Sequence, residues 1–367
     1  MPEGEKFWNP YRWVEVSREP VERDVPYYHH CFQGLSGRID CTLQALTPLI
    51  INDGKGQFVT DRRGKPFIPA TSLKGVIRSL AELIGNACVP FPHVDVDPDH
   101  QLSEARQGQP GNQKFDIVAR TFGYLESGNA FAGLIYFSDA ELISDTPLLN
   151  KGFAVAVGKP DPNHKSFYPD KKRRKFYHHI VDTEELTPPH AGITQTVTVR
   201  PISPGAQFAF QVNFVNLRDE ELNLLLYCLV LEENVTVTLR REALHPEAKG
   251  PCTLSGPMRH KIGFCKPHGA GSVHIRVTKL TVRTDPSARY RGRDTACTFE
   301  NEELHKEVTR RIATFVSRMD VTMQQLRAMM IYTRDDPRKP VNYPTYQWFQ
   351  QDKRRPDSDK RKLKPTL

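Results

Sequence analysis

Pro66-Phe67-Ile68-Pro69-Ala70-Thr71-Ser72-Leu73-Lys74-Gly75-Val76-Ile77-Arg78-Ser79 reads as a helix entered through a proline-stiffened loop. Leu73, Val76, Ile77, Leu80, Leu83 and Ile84 recur at helical spacing, and Gly85-Asn86 ends the run, which predicts a helix from roughly Leu73 to Leu83 with Ser72 as its cap. Unpaired backbone N–H groups and the helix dipole favour an anion at such an end. Lys74 and Arg78 are four residues apart and so share one helix face. The pattern fits a phosphate cradle; it also fits a capped amphipathic helix with a solvated basic face.

Working outward, residues 37–51 alternate like a strand, and Asn52-Asp53-Gly54 breaks them with turn chemistry. After the helix come a polar insertion over about 86–116, a short helix at Ile117 to Phe122 and a strand over 130–142. A second insertion, rich in proline, histidine and base, fills 144–195. Residues 196–215 read as strand, turn and strand, Asp219 opens a helix running to Leu231, and Val273 to Val282 alternates as a last strand. Strand–helix–strand given twice is the split βαβ rhythm of a ferredoxin-like α+β domain. It is expected over residues 37–283, between an aromatic N-terminal arm (1–36) and a helical extension with a basic tail (284–367). Residues 302–330 read as one or two helices.

Lysine and arginine number 51 against 43 acidic residues, a net charge of +8. The balance favours a polyanionic partner, nucleic acid first and an anionic membrane second. The base is clustered: Lys171-Lys172-Arg173-Arg174-Lys175 runs into Phe176, Tyr177, His178 and His179. Cations for phosphates beside flat rings for bases are what single-stranded RNA needs, although a mobile basic loop has the same composition. The tail repeats the theme from Lys353 to Lys364, as a tether or a site. Seven cysteines without a CxxC pair support neither a disulfide framework nor a zinc ribbon, so a reducing cytoplasm is expected. The longest apolar run, Leu224 to Leu231, is too short to span a bilayer. No Walker, Rossmann or nucleophile-elbow motif is present. The His93, Asp95, Asp97, Asp99, His100 run fails the calcium-loop pattern, because His100 stands where glycine is required, and it reads as a solvated loop.

Ile68 to Ser79 (IPATSLKGVIRS) resembles the IPGSSLKGxxRS segment of the RAMP superfamily, as found in backbone subunits of type III CRISPR complexes. Three further segments resemble that family in the same order. Phe122-Gly123 followed by Gly133 to Ala140 is similar to its FG…GRLxFSDA strand, and Gly192 to Phe210 with Leu217 to Leu231 to its PxGxxF segment. Lys261 to Val273 is similar to its glycine-rich loop, with Lys261 in place of the first glycine and Gly263, Gly269 and Gly271 retained. The ends of the chain, Asn9 to Val14 and Val341 to Pro344, resemble a longer subfamily.

The resemblance implies a modified ferredoxin-like (RRM-like) palm with a thumb insertion in the 144–195 stretch, packed in a row along CRISPR guide RNA. Other RAMP subunits and a large polymerase-like subunit are the implied protein partners, and target RNA pairs with the guide. Implied RNA contacts are Ser72, Lys74, Arg78, Lys171, Lys172, Arg173, Arg174, Lys175, Phe176, His178, Lys261, Gly263, Lys266, His268, Gly269 and Gly271. The glycines would let backbone approach phosphate closely. Asp53 holds the place of the aspartate that such subunits need to cut target RNA, as a base or as a ligand of Mg²⁺, with Asp61 a lesser candidate. Asn-Asp-Gly is equally a plain turn. Two other functions fit: a stand-alone endoribonuclease maturing guide RNA through His178, His179 or His190, and a non-catalytic cap or scaffold subunit.

Overall fold

Ile39, Cys41, Leu43 and Ala45 alternate along an eleven-residue strand, all of them buried, and this strand organises the molecule. The computed structural model describes residues 11–89, 100–101, 106–108, 113–126, 129–145, 148–149, 152–155, 173–179, 196–240, 251–285, 288, 291–292 and 296–333. We label its principal elements in chain order. The first are β1 (Tyr11–Glu15), β2 (Leu35–Ala45), β3 (Phe67–Ile68), α1 (Ala70–Ile84), α2 (Ile117–Phe122), β4 (Ile135–Phe137) and β5 (Ala140–Leu142). Next come β6 (Arg173–Tyr177), β7 (Gln207–Leu217), α3 (Asp219–Val230), β8 (Val235–Arg240) and β9 (Pro251–Gly256). The last are β10 (His260–Lys261), β11 (Ser272–Arg283), β12 (Cys297–Glu300), α4 (Asn301–Val316) and α5 (Val321–Met330).

The main sheet runs β10-β11-β2-β7-β5-β3, with β12 added to β11 and β4 to β7, and every pairing is antiparallel. Buried residues of β2, β7 and β11 form one apolar cluster with α1 and α3. This mixed α/β architecture around an antiparallel sheet is compatible with the expected RRM-like palm. Leu304, Val308 and Ile312 of α4 and Met323, Leu326 and Met329 of α5 belong to the same cluster. Among the described residues the C-terminal extension therefore shares the core of the palm.

Helix α1 starts earlier than its apolar spacing suggests. Pro69 is the N-cap, Ser72 lies in the first turn, and its N–H donates to Pro69 O at 2.9 Å. The cap comes from the turn before the neighbouring strand β5: the Ala70 N–H donates to Asp139 Oδ1 at 2.7 Å. Residues 130–142 form no single strand. At Gly133 the chain crosses Gly123, where a Cβ would sit 2.4 Å from the Phe122 carbonyl carbon, and it turns again before β5. Ahead of the glycine loop, β9 pairs with β8 as a hairpin. The N-terminal arm docks on its own chain, for β1 pairs with β6 from Tyr11↔Tyr177 to Glu15↔Arg173.

The helices are tied by buried ion pairs. Arg120 of α2, 3% exposed, pairs with Glu221 at 2.7 Å and Glu220 at 2.6 Å on α3. Glu82 of α1, 1% exposed, takes Arg78 at 2.8 Å and also Arg174 of β6. The cysteines with described side chains are free thiols. Among the described residues no helix is long and apolar enough to cross a membrane.

Candidate nucleic-acid interface

Three stretches far apart in sequence meet around one cleft of about 500 Å³. The first turns of α1 supply Thr71, Ser72 and Gly75; the end of β6 and the residues after it supply Lys175, Phe176, Tyr177 and His179. Lys261, Gly263, Phe264 and Lys266 come from the glycine loop, and Asn52 from the turn after β2. Among the described residues no aspartate or glutamate lines it. Among the described residues no carboxylate forms an ion pair with Lys175, Lys261 or Lys266; the lysine ion pairs present are Lys279 with Glu300 and Lys306 with Glu302.

Lys266 therefore acts on both of the other lysines. Burial, with Lys266 adding repulsion, pulls Lys175 down to about 8 and Lys261 down to about 7, and burial lowers Lys266 as well. Lys175 Nζ stands 3.6 Å from the centroid of the Tyr11 ring and 5.0 Å from that of Tyr177, so aromatic faces of β1 and β6 hold it. Lys266 Nζ donates to Gly263 O at 2.6 Å, and Lys261 Nζ lies 3.5 Å from Ser272 Oγ. An array of like charges without a counter-charge is destabilising on its own and becomes favourable once an anion enters.

The cleft's other basic side chains already have partners. Arg259 makes a two-pronged contact with Glu233, at 3.0 and 2.8 Å. His179 is buried, with Nδ1 2.8 Å from Ser272 Oγ and Nε2 3.0 Å from Arg259 O. The Ser272–His179 contact looks like a nucleophile and its base, but Ser272 is fully buried and does not line the cleft. His260, also buried, contacts Cys228 O at 2.7 Å, and burial lowers it to about 4.

The implied RNA contacts divide accordingly. Ser72, Lys175, Phe176, Lys261, Gly263 and Lys266 line the cleft. Lys74 and Arg78 do not: burial and then Arg78 lower Lys74, while Arg78 holds Glu82 and the Gly123 carbonyl, the latter at 3.1 Å. Arg174 is likewise bound to Glu82. Arg173 opens β6, and His178 and His268 are buried. Lys171, Lys172, His190, the 93–99 run and the tail from residue 334 lie outside the described residues. The loop's glycines have an internal reason. A Cβ on Gly263 would sit 2.3 Å from Ile50 O and one on Gly271 2.0 Å from Ile262 O, both at positive φ, and Gly269 closes the Lys266–His268 turn at φ 95°.

Asp53 stands beside the cleft, next to Asn52. Its Oδ1 accepts the N–H groups of Lys55 at 2.7 Å and Gln57 at 3.1 Å, while Asn52 Oδ1 accepts those of Gly54 and Gly56, both at 2.9 Å. Asp61 does the same for Arg63 and Lys65, each at 2.8 Å, and these contacts hold its carboxyl below the usual range. Both turns are thus closed by their own side chains. Among the described residues no three His, Cys, Asp or Glu side chains gather to hold a metal, so these residues supply no cage for the Mg²⁺ that the resemblance implies.

The sequence reading missed Asn52, Thr71, Gly75 and Phe264 as cleft residues. Gly75 carried a usable signal: a glycine inside a strongly periodic helix needs a reason.

A cleft beside a helix N-terminus whose described lining holds three lysines and no carboxylate has the charge of a polyanion-binding module. The RAMP superfamily model matches residues 42–234, just over half of the chain, from β2 to the end of α3. The chain belongs to the RAMP superfamily, a family of CRISPR-associated proteins that work in RNA-binding complexes. The glycine loop lies beyond the matched residues. No curated protein matches the chain significantly.

Proposed function

We propose that this chain is a guide-RNA-binding backbone subunit of a type III CRISPR effector complex, built on a ferredoxin-like palm. The observation that carries the reading is the convergence of α1, β6 and the glycine loop on one cleft with three lysines and, among the described residues, no carboxylate. RNA phosphate supplies the missing negative charge. Phe153–Val155, inside the second insertion, pairs with Val197–Val199 just after it, a two-stranded stem that a thumb could rise from. The test is co-purification with guide RNA, other RAMP subunits and a large polymerase-like subunit. Recovery of the chain with protein partners and without RNA would favour a cap role instead. Of the histidines a guide-maturing endoribonuclease could use, His178 is buried and His179 is held between Ser272 and the Arg259 carbonyl, and the chain alone is expected to leave precursor RNA uncut.

Cutting of target RNA rests in this reading on Asp53. Asp53→Asn keeps an oxygen for the Lys55 and Gln57 N–H groups and removes the charge. We expect one cut site to disappear from the assembled complex while guide RNA stays bound. An unchanged cutting pattern would take cleavage away from this chain.

The lysines also set a pH dependence. Lys261 at about 7 and Lys175 at about 8 carry charge below these values and lose it above. RNA affinity is therefore expected to fall as pH rises from about 6 to about 9. Stability of the RNA-free chain runs the other way. Between the folded values and the ordinary lysine value of about 10.4, the unfolded chain holds more protons, so stability rises with pH across that window. Titrations of RNA binding and of urea unfolding over the same range check both signs; parallel trends would remove the lysines from the account.

A further inference from the structure

Lys175 reaches the cleft from β6, a strand that stands apart from the main sheet: among the described residues its one strand partner is β1, from the N-terminal arm. Side chains alternate across this two-stranded ribbon. One face turns to the palm, where Val14 is fully buried, Phe176 packs against the main apolar cluster and Arg174 holds Glu82. The other carries Tyr11, Trp13, Lys175 and Tyr177. There the Tyr11 ring, 3% exposed, has its centroid 3.6 Å from Lys175 Nζ and stands edge-on to Tyr177 at 5.9 Å. The arm is itself anchored, since the Glu15 N–H donates to Gln325 Oε1 of α5 at 2.8 Å. Tyr11 does not line the cleft, so any effect it has there passes through Lys175. The choice of a ring is informative. A carboxylate would neutralise the ammonium and compete with an incoming phosphate, whereas an aromatic face attracts the cation and leaves its full charge to an anion. Lysine has a flexible four-carbon stem, and steadying it in the free protein removes an ordering cost that binding would otherwise carry.

We propose that Tyr11 is a positioning residue for RNA binding: its ring holds the Lys175 ammonium at the cleft, so that the N-terminal arm completes a site whose other parts belong to the palm. The inference rests on the RNA-binding reading and adds to it a residue that acts through Lys175 without lining the cleft.

The test measures binding of a single-stranded RNA to the full chain across a range of salt, with melting temperatures in parallel. Lys175→Gln is expected to weaken binding about tenfold. Tyr11→Phe keeps the ring and should stay within about twofold of wild type. Tyr11→Leu removes the ring and should cost about tenfold, no more than Lys175→Gln, with about 0.7 lost from the slope of log affinity against log salt. In the Lys175→Gln background Tyr11→Leu should cost nothing further, a result that a merely structural role would not produce. Pentafluorophenylalanine at position 11 keeps the shape of phenylalanine and reverses the charge of its face, so it should weaken binding as leucine does even where leucine loosens the arm. Full affinity with pentafluorophenylalanine, the same loss with phenylalanine as with leucine, or an added loss in the Lys175→Gln background would overturn the inference. If Lys175→Gln alone weakens binding in those cases, the RNA-binding reading stands without it. If Lys175→Gln changes nothing, or no RNA binds, that reading falls first and the inference with it.

Discussion

Replacing Lys175 and Lys266 together with glutamine is expected to weaken RNA binding by on the order of 100-fold at moderate salt. A hydrogen bond to a charged group contributes about 1.5–3 kcal/mol, which is about tenfold or more for each lysine. The loss should carry an electrostatic signature. Each phosphate contact with single-stranded nucleic acid contributes about 0.7 to the slope of log affinity against log salt, so the double variant should lose roughly 1.4 from that slope. The variant should fold, since Lys175 and Lys266 repel each other in the free protein and burial disfavours both charges. A normal melting temperature with unchanged affinity and slope would show that RNA travels elsewhere. The same pair of changes on the exposed Arg62 and Arg63 is a fair control, expected to shift binding little.

Arg120→Ala is expected to destabilise the fold by about 3–5 kcal/mol, the cost of leaving a buried ion-pair partner uncompensated. Glu221 is 1% exposed, and burial already disfavours its charged form, with Arg120 the main opposing influence. Losing the guanidinium also removes the bond from Arg120 to Phe115 O at 3.3 Å. Against a typical total stability of 5–15 kcal/mol, such a loss is large, and urea unfolding should register it as a lower midpoint. Arg120→Met combined with Glu221→Leu should recover much of it, because an apolar pair leaves no buried charge. Should Arg120→Ala unfold at the wild-type urea concentration, the tie between α2 and α3 would be ornamental.

Most elements were legible because their periodicities are local. Alternation in β2 and β11, the helical spacing of α1 and the acidic start of α3 each lie within one short window. The missed boundaries depend on partners from elsewhere. Nothing near Ser72 says that Asp139, from the turn between β4 and β5, caps the helix at Ala70. Nothing in residues 130–142 says that Gly133 must clear Gly123. The site divided the same way. The charged stretches were visible, but Arg78, Arg174 and Lys175 look alike in sequence, and only the buried Glu82 decides that the arginines hold the fold together while Lys175 faces the cleft. The glycine loop was found for one reason and is explained by another, since its glycines make way for the chain's own carbonyls.

The central position of β2 has a consequence for how the protein is made. Its partners are β7 on one side and β11 on the other, so Ile39 pairs with Val212 and with Leu280. A strand translated early therefore waits for two segments translated much later, and both of its hydrogen-bonding edges stay open meanwhile. Such a topology has high contact order and folds slowly, and open strand edges invite pairing with other chains. The ribosome must release almost the whole palm before the sheet can close. During that interval the nascent chain is most exposed to aggregation, so slower translation, lower temperature and chaperone holdases should raise the yield of native protein more than any single stabilising substitution in the finished fold.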